Sequence, residues 1–401
     1  VNNNNKSNPK ADNYFSKALN GITECANAGH VFWKTNLGYI YKHGNGVTID
    51  ETKAKQLLLE PANQNYGRAQ FMLGEIYDFS KTHQDKELAI SWYEKAADNF
   101  PRYGSPEFAL GYIYGEDNDY IDKAKSFEWY LKSANKGNIA AQGNLGHCYY
   151  YGYGVPINYI KAKEWFEKAA SEGHGFSQDY LGKIYYLGKG VEVNQELALS
   201  YFLKATNSGF TESFGNIGGI YIGQKKYQNA FTWLKKGADK NQSFAQMKLG
   251  FLYSQEDYIG HDYEKAIYWY NLAIENGSVE AHARLGYAYQ EGKGVSKNTD
   301  KAIEHYKISA EKDFVLGQLM LGIILMEENR YEQALEWVRK SAINNSKDGQ
   351  LVFGILLKAL GDKVNLSDVE LAVSYMEILS KENYKNSKTQ LQELRSMLKK
   401  M

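Results

Sequence analysis

Residues 141–173, AQGNLGHCYYYGYGVPINYIKAKEWFEKAASEG, read as a helix, a glycine turn and a second helix. Ala141, Leu145, Gly146 and Tyr149 recur at i, i+4, i+5 and i+8, which is one face of a 3.6-residue period. Gly152, Gly154 and Pro156 stop that helix and turn the chain. Lys161, Ala162, Trp165 and Ala169 make a second stripe at helical spacing. Gly173 closes it, because glycine at the position after a helix adopts the left-handed conformation without a Cβ clash. Such a hairpin carries apolar surface on both sides and cannot bury it alone. It needs neighbours of its own kind.

The rest of the chain supplies them. Aligning on the glycine of the Leu145–Gly146 pair finds ten copies, at Gly38, Gly74, Gly111, Gly146, Gly182, Gly218, Gly250, Gly286, Gly322 and Gly354. A tyrosine stands three residues after each of the first eight, and Leu325 and Leu357 take that place in the last two. The residue four before the leucine is usually small, as in Ala69, Ala141, Ser177, Ser213, Ala245, Ala281 and Gly317. Small side chains at these two points predict a close approach of the paired helices. In the second helix an alanine repeats (Ala54, Ala89, Ala162, Ala198, Ala230, Ala266, Ala302, Ala334, Ala372), with Ser126 standing in once. Three residues on comes a large side chain: Leu57, Trp92, Trp129, Trp165, Tyr201, Trp233, Trp269, His305, Trp337 and Tyr375. Aromatics at helical spacing bury large areas, so this row is expected in the core, with His305 a packed histidine rather than a ligand or base.

Composition narrows the function classes. Lys plus Arg number 47 against 47 Asp plus Glu, so the balance carries no electrostatic footprint for nucleic acid. The 401 residues exceed a single ordinary core, but a stack in which each unit contacts only the next escapes that bound. Two cysteines, Cys25 and Cys148, belong to no C-x-x-C or Cys/His cluster, and Cys148 is expected to be buried as a small apolar side chain. No run of 18 apolar residues occurs, so no membrane span is expected. The polar start VNNNNKSNP suits a processed N-terminus after a removed signal peptide, which favours an exported or periplasmic protein over a cytoplasmic one.

The pattern A-x-x-x-L-G-x-x-Y-x-x-G-x-G-V followed by K-A-x-x-W-Y-x-x-A-A-x-x-G resembles the Sel-one-like repeat, a relative of the tetratricopeptide repeat. It is nearly complete in AQGNLGHCYYYGYGV with KAKEWFEKAASEG, and in AHARLGYAYQEGKGV with KAIEHYKISAEKD. Phe100, Asn241, Asp313 and Asn345 depart from the closing glycine; asparagine tolerates the left-handed conformation, whereas Phe100 before Pro101 predicts a longer, irregular connection. The loops GQKKYQNA and EENRYEQA are shortened, closer to tetratricopeptide geometry. The resemblance implies an all-α fold: a right-handed superhelical α-solenoid of about ten helix-turn-helix repeats with terminal capping helices. The expected division is a polar segment and capping helix at 1–29, the solenoid at 30–380, and a capping helix at 381–401 whose stripe is Leu391, Leu394 and Leu398. It also implies an adaptor or scaffold for protein complexes, in bacteria often exported and linked to envelope, signalling or host-interaction systems. No catalytic residues come with the family.

No enzymatic motif emerges from the residues themselves. Gly-x-Gly-Val occurs four times, each after a helix, where a nucleotide-binding loop requires a preceding strand. The eight histidines are scattered without an H-E-x-x-H pair, and there is no G-x-S-x-G. Catalytic residues, cofactor and metal are therefore all expected to be none.

A partner site follows from helix phase. The positions one before and two after the leucine share a face beside the core face, and they vary from copy to copy while the core repeats. On that face Tyr39, Tyr112, Asn144, His147, Tyr180, Lys183, Phe251, Arg284 and Tyr287 are the candidate residues for binding a protein or peptide on the concave surface. They are expected to lie off the core, so that substituting them leaves melting little changed. The alternative is a glycan or cell-wall binder, suggested by 33 tyrosines. Open, spaced ring platforms with carboxylates between them favour the glycan; a polar and apolar mixture favours the peptide.

Overall fold

The computed structural model describes residues 9–80, 82, 84–100, 103–116 and 119–400, with the side chains of 9–15 and 362 left aside. The polar start, His83 and Pro101 lie outside the described residues. Among those described there are 22 α-helices, one short 3₁₀ turn and no strand, an all-α repeat solenoid. The chain divides into two compact units, Val1–Phe210 and Thr211–Met401.

The first unit opens with α1 (Pro9–Asn27) and continues through five helix pairs: α2 (Val31–His43) with α3 (Glu51–Asn63), α4 (Gly67–Phe79) with α5 (Lys86–Asn99), α6 (Ser105–Glu116) with α7 (Lys123–Asn135), α8 (Ile139–Tyr151) with α9 (Tyr159–Ser171), and α10 (Gly175–Leu187) with α11 (Gln195–Asn207). The second unit has five more: α12 (Ser213–Gly223) with α13 (Tyr227–Ala238), α14 (Ser243–Tyr253) with α15 (Tyr263–Glu275), α16 (Val279–Glu291) with α17 (Thr299–Glu311), α18 (Val315–Glu327) with α19 (Tyr331–Ile343), and α20 (Lys347–Leu360) with α21 (Leu366–Lys381). It closes on α22 (Ser387–Leu398), where Leu394 is fully buried against α20 and α21.

Turn chemistry sets the hairpin. Gly152 and Gly154 have φ of 78° and 71°, and Gly188, Gly190, Gly292 and Gly294 repeat that left-handed pair. The chain then returns so that the Asn158 N–H donates to the Tyr149 carbonyl at 2.8 Å, while the Asn158 side chain caps α9 by accepting from the Lys161 N–H at 2.9 Å. Asp50, Asn194, Asp262 and Asn298 do the same in their copies, each cap being worth about 1 kcal/mol. The closing position takes φ of 81° at Gly173 and 56–61° at Asn241, Asp313 and Asn345, so these departures keep the turn. Phe100 does not: its φ is −128°, and the left-handed residues move on to Tyr103 and Gly104.

The helices meet at the repeated glycine. A Cβ built on Gly146 would sit 2.7 Å from the Phe166 ring, and on Gly182 2.6 Å from Phe202; Tyr93, Tyr130, Tyr270 and Tyr306 fill the same place in their copies. This corrects the expected phase of the second helix. The innermost large residue is four positions after the alanine, not three. Taking 3.6 residues per turn, position +4 lies about 40° from the alanine and position +3 about 60° to the other side, so +4 points at the partner helix and +3 at its flank. The tryptophan row is accordingly half-buried apart from Trp92. A lysine three residues on lies over the ring, 3.8–4.4 Å from its centre, at Trp92, Trp129, Trp165, Trp233 and Trp337.

Candidate functional site

Six of the nine candidate residues line two pockets, one in each unit. In the first unit Tyr112 on α6 and Asn144 and His147 on α8 face a pocket of about 460 Å³. Its base is Tyr130 and Cys148, and Glu116, Lys123, Tyr153 and Phe176 complete the wall. In the second unit Phe251 on α14 and Arg284 and Tyr287 on α16 face a pocket of about 420 Å³, based on Tyr270 and Ala288, with Gln255, Tyr263 and Lys293 around it. The two are built from equivalent repeat positions: Phe251 stands where Tyr112 does, Arg284 for Asn144, Tyr287 for His147, Tyr263 for Lys123 and Lys293 for Tyr153. One backbone arrangement thus presents two different chemistries.

The first-unit pocket is aromatic and weakly charged. Burial pushes the ionisation of the Tyr130 hydroxyl well up, opposed by the neighbouring Asn144. Burial also pushes the Cys148 thiol up to about 12, so it remains protonated, buried as expected. His147 lies 4.7 Å from Tyr151, 5.5 Å from Tyr153, 5.8 Å from Phe176 and 5.3 Å from Tyr180, measured between ring centres. Burial, with the Lys183 charge adding to it, pushes its pKa down to about 4. The imidazole is therefore neutral near pH 7. An unfolded histidine titrates near 6.5, so between those values the unfolded chain holds the extra proton. Stability should fall as pH drops from about 6.5 towards about 4, and His174 in the same unit shifts in the same direction. Urea unfolding compared at about pH 7.5 and about pH 5 checks this, with the slope flattened by His147→Gln; a His147 titration near 6.5 by NMR would contradict it.

The second-unit pocket is charged, with Arg284 and Lys293 facing Glu256 and Asp257 in its lining. The Arg284 guanidinium lies over the Phe251 ring, 4.5 Å from its centre, and is held by Glu280 at 3.0 Å. Lys248 reaches the same carboxylate at 3.8 Å, and its burial pulls its pKa below the ordinary lysine value. At the rim the Tyr263 hydroxyl donates to Glu256 at 2.7 Å, and Lys293 reaches that carboxylate at 3.4 Å.

The other three candidates fall elsewhere. Tyr39 on α2 is exposed, its ring 4.4 Å from His43 with Arg68 over it at 5.5 Å. Tyr180 contradicts the expectation that this face lies off the core. It is 7 % exposed, stacked on Phe166 at 5.0 Å and 19° and touching Phe176 at 4.7 Å. A helical side chain leans over the turn before it, and a ring as large as tyrosine reaches from there into the space between copies. Lys183 pairs with the buried Asp179 at 2.7 Å and covers the Tyr180 ring at 4.3 Å. Helix phase alone missed Tyr153 and Lys293, the middle residues of G-x-G, and Lys123 and Tyr263, the first residues of second helices. Their signal was available: the residue between otherwise repeated glycines changes from Asn45 to Tyr153, Lys189 and Lys293.

Among the described residues no group of three or more His, Cys, Asp or Glu side chains is placed to hold a metal ion, and no helix is long and apolar enough to cross a membrane. His305 stacks on Tyr289 at 5.7 Å and 7°, and its Nδ1 lies 3.0 Å from that of His282.

The Sel1 repeat profile matches residues 35–66, 67–99, 107–138, 139–174, 176–210, 218–242, 243–278, 279–314 and 316–346. The tenth helix pair, α20 with α21, lies beyond these nine. Among solved structures, c5321, a protective antigen present in uropathogenic Escherichia coli strains and displaying an SLR fold, is 27% identical with a TM-score of 0.60, covering 95% of this chain and 94% of that one. A Sel1 repeat protein from Oxalobacter formigenes is 24% identical over 79% of this chain and 81% of its own, with a TM-score of 0.44. The human IFIT1 dimer with PPP-AAAA is 16% identical over 95% and 93%, with a TM-score of 0.50, a likeness of fold alone. No curated protein sequence matches. Sel1 repeat proteins generally act as protein-interaction scaffolds, and their fold is typically non-catalytic. With nine repeats spanning most of its length, the chain belongs to the Sel1 repeat family.

Proposed function

We propose that this protein is a non-enzymatic scaffold that holds a segment of a partner protein along its first-helix face. The observation that carries the reading is the pair of equivalent pockets. The repeat builds the same concavity twice, and the positions that vary between copies line it. Exposed Tyr112 and Tyr287 offer large rings beside donors and acceptors, the combination that dominates interface energies once desolvated. Sugar stacking is less well supported, because lysine ammoniums lie over five tryptophan rings of the second helices. The 27% identity to a protective antigen of uropathogenic E. coli supports a place in a bacterial envelope, secretion or host-interaction system.

Affinity capture with wild type beside the Tyr112→Ala/Tyr287→Ala variant tests the proposal. Both side chains are about half exposed, 50% and 45%, so melting should be unchanged. Each substitution should weaken partner binding by about 1 kcal/mol or more. Undiminished capture by the variant would move the site to the loops or the terminal helices.

A further inference from the structure

We infer that the second-unit pocket receives an acidic side chain from an extended partner segment, with an apolar side chain of the same segment seated on the neighbouring copies. This rests on the scaffold reading and names the chemistry of its partner. Arg284 and Lys248 share the single carboxylate of Glu280, so beside the pocket two cations depend on one acid. The Arg284 Nε is buried without a hydrogen-bond acceptor, and buried polar groups are normally satisfied. The rim carboxylates do not reach it as partners: Glu256 bonds Tyr263 and Lys293, and Asp257 bonds Lys225 and the Tyr227 hydroxyl at 2.9 and 2.6 Å. An arriving carboxylate meets a guanidinium already positioned over Phe251, with Lys293 also in the pocket lining. Charge-assisted bonds to a prepositioned guanidinium are the strong ones.

The next copies of the same unit supply the apolar half. On α18 and α20, which follow α16 in contact with one another, the matching face carries Met320, Ile323 and Ile355. Packed helices lie about 8–10 Å apart and an extended chain rises about 3.3 Å per residue, so one copy corresponds to about three residues of partner. The segment is therefore an acidic residue with an apolar one three positions away. The equivalent first-unit pocket has Asn144 in place of Arg284 and a neutral His147, and lacks this selectivity.

The probe is a dye-labelled peptide, acetylated and amidated at its ends, reading leucine–serine–alanine–glutamate–serine–alanine–leucine, which presents the leucine in either direction. Anisotropy should show saturable binding below about 1 mM to wild type, weakened about tenfold when glutamine replaces glutamate. With Arg284→Gln the two peptides should bind alike, and the Lys293→Gln variant, altered only at a half-buried rim residue, should lose part of the preference. Equal binding of both peptides by wild type, no binding of the glutamate peptide, or binding only of a peptide whose carboxylate is its free C-terminus would overturn the inference. The peptide exchange leaves the protein untouched, so misfolding cannot imitate the result. If Tyr112→Ala/Tyr287→Ala still weakens partner capture while glutamate confers no preference, the carboxylate site falls and the scaffold stands. If neither changes, both fall.

Discussion

Gly146→Leu should destabilise the first unit by about 3 kcal/mol or more, at the upper end of what overpacking costs. The Cβ alone would stand 2.7, 2.8 and 3.0 Å from three atoms of the Phe166 ring. That ring has little room to retreat, because Tyr180 stacks on it and Phe166 is fully buried. The strain should spread to the copies on either side, since each pair is stabilised by its neighbours. Urea unfolding measures the loss, and amide exchange should quicken through α7 to α10. Phe166→Ala in the same chain should recover part of it, a coupling readable in a double-mutant cycle. An unchanged unfolding midpoint would mean that the two helices do not meet at this glycine.

Tyr180→Ala should cost about 3 kcal/mol or more, in the range of buried aromatic truncations. Its ring contacts Phe166, Phe176, Tyr150 and His147, and removing it opens a void beneath the first-unit pocket. Because Phe176 lines that pocket, binding there should weaken indirectly as well. Tyr112→Ala, on an exposed ring, should leave unfolding unchanged, which makes it the control. Equal stability of the two variants would place Tyr180 on the surface after all.

The repeat ladder was legible because the fold needs the same small residues at each helix crossing. Gly146, Ala162 and Gly173 each answer a local requirement, for a close approach, a fully buried Cβ and a left-handed turn. The phase of the second helix was not legible: Trp165 and Phe166 are both large and adjacent, and only the direction of the partner helix decides which is inside. Tyr180 was misplaced for a related reason. Burial at that position depends on whether the neighbouring copy leaves room, and in this chain the rings of His147, Tyr150 and Phe176 close around it. The pockets were half legible. Their first-helix residues follow from periodicity, whereas Lys123, Tyr153, Tyr263 and Lys293 arrive from loops and second helices whose approach no periodicity records. Ion pairs such as Lys42 on α2 with Glu75 on α4, 33 residues apart, likewise join different helix pairs.

The central claim is that a partner lies across first helices. Hydrogen–deuterium exchange of the protein with and without its captured partner tests it most directly. Slowed exchange should appear on α6, α8, α14 and α16, including the segments that carry Tyr112, His147, Phe251 and Arg284, while α7, α9, α15 and α17 keep their free rates. Protection confined to the second helices, the G-x-G turns, or α1 and α22 would contradict the account.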